Sequence, residues 1–367
     1  MKLAALASFG LLVLPQALWA YPEMIRHGYT SCLICHSSPA GGDLLSGYGK
    51  ELNRELVSSQ WWDSDQKKLY DVDLDLPEKL RVGGNFRALQ VFQENERVKQ
   101  GRFIIMQADV DTKWETEPVS FYASIGRTER KIASSTDSVY IPRLWLSGEI
   151  ATGPEDKEIF YRVGKFLPIY GVNFPEHAFV SRVATEMTPG SERIGAEVVY
   201  TPEKFQISLS LFGERADFRD RSIERGGVIH AAWVPAETFK LGVNLYRSFL
   251  ATRSLENLGI YGLLGWTKEQ FTLVQIDRVQ KAAPQSGLAL TIKHGWQMWQ
   301  GHEVFGTLEY WNPNIDVTNP HYEAVGIGLS NRFVSWFDLS SLLKAERDDA
   351  LGSSVGYAGW VVGHLYF

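Results

Sequence analysis

Residues Val355 to Phe367 read Val-Gly-Tyr-Ala-Gly-Trp-Val-Val-Gly-His-Leu-Tyr-Phe, and every second position is apolar or glycine. Side chains alternate between the two faces of a β-strand, so one face carries Val355, Tyr357, Gly359, Val361, Gly363, Leu365 and Phe367. Strands of transmembrane barrels show this pattern because one face meets lipid and the other meets the lumen. Chains inserted as outer-membrane barrels also commonly end on such a strand. The stretch therefore predicts the last strand of a membrane β-barrel.

The same alternation recurs from Leu80 onward in pieces of about ten residues, the length of a tilted membrane strand. In the piece that begins at Phe205, for example, Ile207 and Leu209 are predicted to face outward, while Ser208 faces the lumen. Sixteen pieces are predicted, starting near residues 80, 102, 119, 140, 159, 191, 205, 225, 239, 256, 271, 286, 303, 321, 335 and 355. An even number is what a closed bacterial barrel requires.

The spacing between the pieces supports the same fold, since one rim of an outer-membrane barrel has tight turns and the other has long loops. The connections after the even-numbered pieces are compact: Thr116 to Pro118, Gly153 to Lys157, Thr201 to Lys204, Pro235 to Thr238, Thr267 to Gln270, Gln300 to His302, and Phe333-Val334. The other connections are mostly longer, which puts both chain ends on the periplasmic side. The alternative is a soluble periplasmic β-sandwich or propeller, which needs no such alternation.

The longest connection, Ile169 to Gly190, is the third on the outer side. In sixteen-stranded porins this loop often folds into the lumen and narrows the pore. We therefore expect Ile169 to Gly190 to act as a gate or lid, with an ordinary surface loop as the alternative.

The N-terminal region differs from the rest of the chain. Met1 to Ala20 has one lysine, an apolar run and a small residue at its end, which is typical of a secretory signal peptide. A net charge of -6 argues against nucleic acid as a partner. We therefore divide the chain into a signal peptide (1–20), a small N-terminal plug (21–79) and an all-β, sixteen-stranded outer-membrane barrel (80–367).

The N-terminal plug contains the chain's two cysteines, in Cys32-Leu33-Ile34-Cys35-His36. A structural zinc would need a fourth ligand, and a thioredoxin-like pair would need a surrounding βαβ pattern, so both are disfavoured. The C-x-x-C-H spacing favours one covalent c-type haem, with Cys32 and Cys35 as thioether positions and His36 as the proximal iron ligand. A plain disulfide is the remaining alternative. A short helix is predicted from near-helical apolar spacing at Leu44, Leu45, Tyr48, Leu52 and Leu56.

A signal peptide, one C-x-x-C-H near the mature N-terminus and a sixteen-stranded barrel together resemble the fused monohaem cytochrome-porin family of outer-membrane electron-transfer proteins. The resemblance implies that the haem passes electrons between an extracellular donor, ferrous iron in the best-known members, and periplasmic c-type cytochromes. It thus implies iron-oxidase-type electron transfer rather than hydrolysis or group transfer.

The second axial ligand of the iron does not follow from the resemblance. Candidates in this sequence are Met24, His27, His177, Met187, His230 and His364. Four acids at predicted lumen positions, Asp109, Asp111, Glu303 and Glu309, would attract cations or simply hydrate the lumen.

Three functions fit these predictions. The first is an electron conduit in the outer membrane, the second is a solute-conducting porin whose haem is a sensor or structural plug, and the third is a haem enzyme such as a peroxidase.

Overall fold

A computed structural model of the chain describes residues 22–59, 77–97, 99–127, 139–151, 157–176, 178–215, 223–250, 253–282, 285–317, 321–349 and 354–366. The predicted signal peptide, His177 and Phe367 therefore lie outside the described residues. Among those described, no helix is both long and apolar enough to cross a bilayer.

Sixteen antiparallel strands form one closed barrel in which β1 pairs with β16. The strands are β1 Leu80–Glu94, β2 Lys99–Glu115, β3 Val119–Arg127, β4 Val139–Ala151, β5 Lys157–Phe166, β6 Arg193–Tyr200, β7 Phe205–Arg215, β8 Arg225–Ala236, β9 Phe239–Phe249, β10 Ser254–Gly265, β11 Gln270–Ala282, β12 Gln285–Trp299, β13 His302–Asn312, β14 Tyr322–Val334, β15 Phe337–Asp348 and β16 Val355–Tyr366. Every start lies within three residues of its predicted position, so the predicted barrel is confirmed. One predicted turn was wrong: Phe333 and Val334 continue β14, because Val334 still pairs with Phe337 across a turn at Ser335-Trp336.

The outward face of the barrel is apolar along the strands. Ile207, Leu209, Val325 and Leu343 are all outward and 46 to 69% exposed, while alternate residues such as Ser208 are buried inside. Exposed apolar surface of this extent is stable only against lipid, and closed barrels are one of the two backbone arrangements that can span a bilayer. The pattern therefore confirms the predicted location in a bacterial outer membrane.

The lumen is packed rather than simply lined with polar groups. Phe271 and Phe305 fill the space that side chains would take at Gly295 and Gly328, where an added Cβ would lie 2.2 and 2.3 Å from the ring carbons. These rings belong to a buried apolar cluster that also includes Ile25 near the N-terminus. The interior thus contains a hydrophobic core.

We call residues 22–59 the N-terminal segment; its first part is buried inside the barrel around Ile25, whereas α1 is partly exposed at the rim, with Tyr48 43% exposed. The segment forms 3₁₀ turns at Pro22–His27 and Cys32–Ile34, helix α1 at Gly47–Leu52 and a π-helical turn at Asn53–Val57. The side chain of Ser46 accepts a hydrogen bond from Gly49 N (2.9 Å) and caps α1. The predicted helix is therefore shorter than its apolar spacing suggested, because Leu44 and Leu45 precede the cap.

The N-terminal segment is attached near the tight-turn rim. Asn53 donates to the carbonyl of Ser335 (2.5 Å) in the β14–β15 turn, and Ser59 N donates to Arg332 O (2.8 Å). An added Cβ at Gly28 would lie 3.4 Å from Glu237 in the β8–β9 turn. The segment therefore enters the lumen from the predicted periplasmic side.

Candidate functional site

The connection between β5 and β6, residues 167–192, folds into the lumen as predicted; we call it the inward loop. It contains helix α2, Val180–Thr185. Its backbone amides at Gly171, Val172 and Val180 donate to side chains of the barrel wall, at 3.0, 2.7 and 2.9 Å respectively. These amides would otherwise be buried without partners, so the wall fixes the loop's position.

A buried ion cluster joins the N-terminal segment, the inward loop and the wall. The ammonium of Lys293 on β12 donates to Glu23 of the segment and to Glu176 of the loop, both at 2.8 Å. Arg26 of the segment pairs with Glu303 on β13 at 3.0 Å. The two inserted pieces are therefore held by charged contacts that come from strands far away in sequence.

Between these pieces lies a cavity, the lumen cavity, which is lined by Cys32 and His36 of the N-terminal segment, by residues 167–175 of the inward loop, and by wall residues that include Arg87, His230 and Lys240. Two residues of the C-x-x-C-H motif thus share a cavity inside the barrel with Lys240, which lies near the tight-turn end of β9. Residue Asn173 of the loop donates to Ala40 O (2.6 Å), which brings loop and segment together at the cavity edge.

The backbone of the motif is a single 3₁₀ turn. Cys35 N and His36 N both donate to Cys32 O, at 3.3 and 3.0 Å. Cys32 lines the lumen cavity, whereas Cys35, at the end of the turn, is buried against Met24, Tyr29 and Val57. Glycine is required at position 49, where an added Cβ would lie 2.5 Å from Cys35 O.

Both cysteines are free thiols in the structure. Burial raises the pKa of Cys35 to about 12, with a further contribution from Cys32. Burial also raises the pKa of Cys32, although the charge of Lys240 acts in the opposite direction. A thioredoxin-like redox pair needs a lowered thiol pKa, so this environment argues against that alternative. Among the described residues, no group of three or more histidine, cysteine or acidic side chains is arranged to hold a metal ion.

The residues present fit a c-type haem. Cys32 and His36 line the cavity, and Cys35, which directly precedes His36, is buried in the cluster against which Cys32 packs. Apolar side chains of Leu44, Leu45 and Phe174 line the same space, as a porphyrin ring requires. A buried arginine, Arg182 of the inward loop, also lines this cavity, and its Nε has no hydrogen-bond partner among the described residues. A porphyrin with carboxylate substituents would suit this mixed lining.

The predicted candidates for a second axial ligand fall into separate groups. His230, Met187 and His364 line the same cavity as His36. Met24 is buried instead beside Cys35, and His27 accepts from Arg26 Nε at 3.3 Å. Burial and the charge of Arg26 lower the pKa of His27 to about 4.

Two of the cavity-lining histidines already have hydrogen-bonded rings. His230 contacts Asn244 Oδ1 (2.8 Å) and the Tyr261 hydroxyl (3.2 Å). His364 contacts Asp338 and Asn85, at 3.2 and 3.1 Å. Ligation by either would break one of these contacts, whereas the Met187 thioether is buried in the inward loop and lines the cavity.

The acids predicted to attract cations all point inward, but two are neutralised. Glu303 pairs with Arg26 and Glu309 with Lys344 (2.9 Å). Asp111 accepts from Tyr122 at 2.8 Å, and Asp109 accepts from Gln107. The prediction that these acids focus negative potential is thereby weakened.

The sequence did not predict that basic side chains gather at the lumen cavity. Lys240 is only 6% exposed and donates to two neutral acceptors, Thr30 O and Gln206 Oε1, at 2.7 and 2.5 Å. Arg182 and Arg87 line the same cavity. Their sequence positions gave no hint of this grouping, although the inward-facing register of β9 does predict that Lys240 points into the lumen.

Comparison with known proteins shows which solved structures have a similar barrel fold. No family model matches the chain, and no curated protein sequence does. Among solved structures, it is similar to OmpT of Vibrio cholerae (9% identity, TM-score 0.58), covering 78% of this chain and 97% of OmpT. It is also similar to OprB of Pseudomonas putida (8%, 0.60), covering 85% and 99% of the two chains, and to an anion-selective porin from Comamonas acidovorans (10%, 0.55), covering 78% and 99%. At these identities the likeness shows only a porin-like barrel fold.

Proposed function

We propose that this protein is an outer-membrane electron conduit with one covalently bound c-type haem. The observation that carries the proposal is the position of the C-x-x-C-H turn, with Cys32 and His36 on a cavity enclosed by the barrel wall. Cys32 and Cys35 would hold the porphyrin through thioether bonds, and His36 would ligate its iron. The resemblance to fused cytochrome-porins points to the same role.

The haem, when bound, supplies one-electron redox chemistry. The chain's own residues do the rest. The wall separates the cavity from lipid, the inward loop covers it from the extracellular side, and the N-terminal segment connects it with the periplasmic rim, where a c-type cytochrome would dock. Four cations and only two carboxylates, Asp43 and Asp111, line the cavity, so a free metal cation would on balance be repelled from it. We therefore expect an extracellular donor such as ferrous iron to react at the loop.

Stopped-flow mixing of the oxidised protein with ferrous iron tests the proposal. We expect the haem to be reduced within milliseconds to seconds, seen as growth of its α-band, and then to be reoxidised by a periplasmic c-type cytochrome. The variant His36→Ala should keep a folded barrel and lose redox activity. A purified protein without c-type absorption, after expression with a haem-attachment system, would contradict the proposal.

A solute-conducting porin is the second candidate, and two observations favour it. The fold neighbours are porins, one of them described as anion-selective, and basic side chains line the lumen cavity. Planar-bilayer conductance separates the two functions. Large anion-selective currents through haem-loaded protein would favour the porin, while a closed barrel that transfers electrons would favour the conduit.

A further inference from the structure

Arg182 of helix α2 is a buried cation that has no carboxylate partner in the part of the chain that the structure describes. Its side chain is 4% exposed, and its Nη1 donates to two neutral acceptors, Asn173 Oδ1 and Phe174 O. Its Nε has no hydrogen-bond partner, and among the described residues no acidic group lies within 4 Å of its guanidinium. Leaving a guanidinium buried in this way costs several kcal/mol, on the order given by desolvation of an unpaired charge.

The surroundings of Arg182 add positive charge. Burial, together with the nearby charge of Arg87, lowers the pKa of Arg182 to about 10. Glu176 is the acid of the same loop that acts on Arg182, but its Oε1 already accepts from Lys293. The charged groups on the lining of the lumen cavity are four cations, Arg87, Arg143, Arg182 and Lys240, and two carboxylates, Asp43 and Asp111, so cations are in excess.

A second buried arginine, Arg193, provides an example in this barrel of a guanidinium charge that a nearby carboxylate offsets. Arg193 on β6 is also buried, and its Nε likewise makes no hydrogen bond, but a carboxylate oxygen, Glu224 Oε2, lies 3.5 Å from that Nε, and its Nη2 donates to Tyr246. Arg193 does not line the lumen cavity. The contrast indicates that the partner of Arg182 is a ligand of the cavity rather than one of the described residues.

We propose that Arg182, supported by Arg87, is the receptor for a carboxylate of the cavity's ligand, namely a propionate of the haem attached at Cys32 and Cys35. The inference rests on the proposed function. Chemistry favours this ligand because a haem carries two carboxylates on one edge and must satisfy both in a low-dielectric interior. A freely diffusing carboxylate or other anion would have the same chemistry, and the experiment separates the two sources.

The test measures the reduction potential of the haem-loaded, full-length protein and of three variants. A guanidinium beside a propionate favours the reduced state by offsetting negative charge. Arg182→Gln should therefore shift the ratio of reduced to oxidised haem at least tenfold towards oxidised at a fixed potential, which is about 59 mV for one electron. Arg182→Lys should recover more than half of the shift. The control Arg193→Gln should change the ratio less than twofold.

Each outcome bears on a different claim. Covalent haem with an unchanged potential in Arg182→Gln, or an equal shift in Arg193→Gln, overturns the assignment of Arg182 and leaves the electron-conduit proposal intact. Absence of covalent haem overturns both. If the potential is unchanged but chloride conductance of the haem-loaded protein falls in Arg182→Gln, the anion is a diffusing solute and the propionate assignment is wrong. Heat-modifiable migration on gels confirms that each variant retains a folded barrel.

Discussion

Replacing Lys293 by methionine should release the first part of the N-terminal segment from the wall. The ammonium of Lys293 contacts Glu23 and Glu176 at 2.8 Å each, and all three groups are buried. Burial raises the pKa of Glu176. Burial also opposes ionisation of Glu23, but the charges of Lys293 and Arg332 outweigh it and lower the pKa of Glu23. Without the ammonium, two buried carboxyl groups face each other.

The magnitude follows from the contact distances. With an effective dielectric constant of about 20, each contact at this distance contributes roughly 6 kcal/mol of attraction. Desolvation offsets most of the sum, and removing one partner of a buried cluster typically costs about 3–5 kcal/mol. Methionine preserves the side-chain length, so little of the cost comes from a cavity. The opening equilibrium of the segment should therefore increase by a factor of about 10² to 5 × 10³.

Hydrogen exchange read by mass spectrometry measures this opening. The amides of Gly28 and Tyr29, which donate to Ile25 O (3.0 Å) and Met24 O (3.4 Å), should exchange faster by that factor. Strand amides of the barrel should be unchanged. As a control, Lys344→Met removes a buried lysine that pairs with Glu309 on the wall, and it should alter exchange at Gly28 less than threefold.

A rescue variant tests whether charge is the cause. Adding Glu23→Gln and Glu176→Gln to Lys293→Met removes the uncompensated carboxylates, and at least half of the lost protection should return. Exchange at Gly28 and Tyr29 that stays within threefold of the parent protein in Lys293→Met would refute the reasoning, as would a triple variant less protected than the single one.

Three further predictions concern the packing around Cys35, the reactivity of its thiol, and the lipid-facing side of the barrel. Gly49→Val should reduce the yield of covalent haem and speed proteolysis of the N-terminal segment, because the new Cβ would lie 2.5 Å from Cys35 O. Overpacking of this kind costs about 1–3 kcal/mol. The matched control is Gly47→Val, which should show neither effect because an added Cβ there has nothing within 4 Å. In protein refolded without haem, iodoacetamide should alkylate Cys35 at pH 8 about a thousandfold more slowly than an ordinary thiol, because only the thiolate reacts. The alkylation rate should keep rising until the pH passes the Cys35 pKa of about 12. A plateau of the rate near pH 9 would contradict this prediction. Leu343→Arg, at the lipid-facing middle of β15, should destabilise the barrel in lipid vesicles by about 2–4 kcal/mol, as measured by urea titration, with Leu343→Ala losing much less.

The positions of the strands could be predicted from the sequence because the alternation that marks each strand is a local pattern. Lipid outside and a lumen inside impose a period of two on every strand, and this alternation can be counted in the chain without any long-range information. The C-x-x-C-H motif could be recognised in the sequence for a similar reason, since its residues are close neighbours in the chain. The Ser46 cap, which shortens helix α1, was a local signal that the apolar spacing alone did not include.

The arrangement inside the barrel depends on contacts that no local pattern encodes. Glu23 meets Lys293 and Arg26 meets Glu303 across 270 and 277 residues of sequence. Arg182, Arg87 and Lys240 share one cavity because the closed barrel brings a loop and two strands together. The sequence by itself therefore determined the barrel and the haem-type motif, since periodicity and spacing are properties of neighbouring residues. Only the tertiary structure decided that the motif lies within the lumen and which charges surround it, because burial and charge pairing arise when distant segments are enclosed by the same wall.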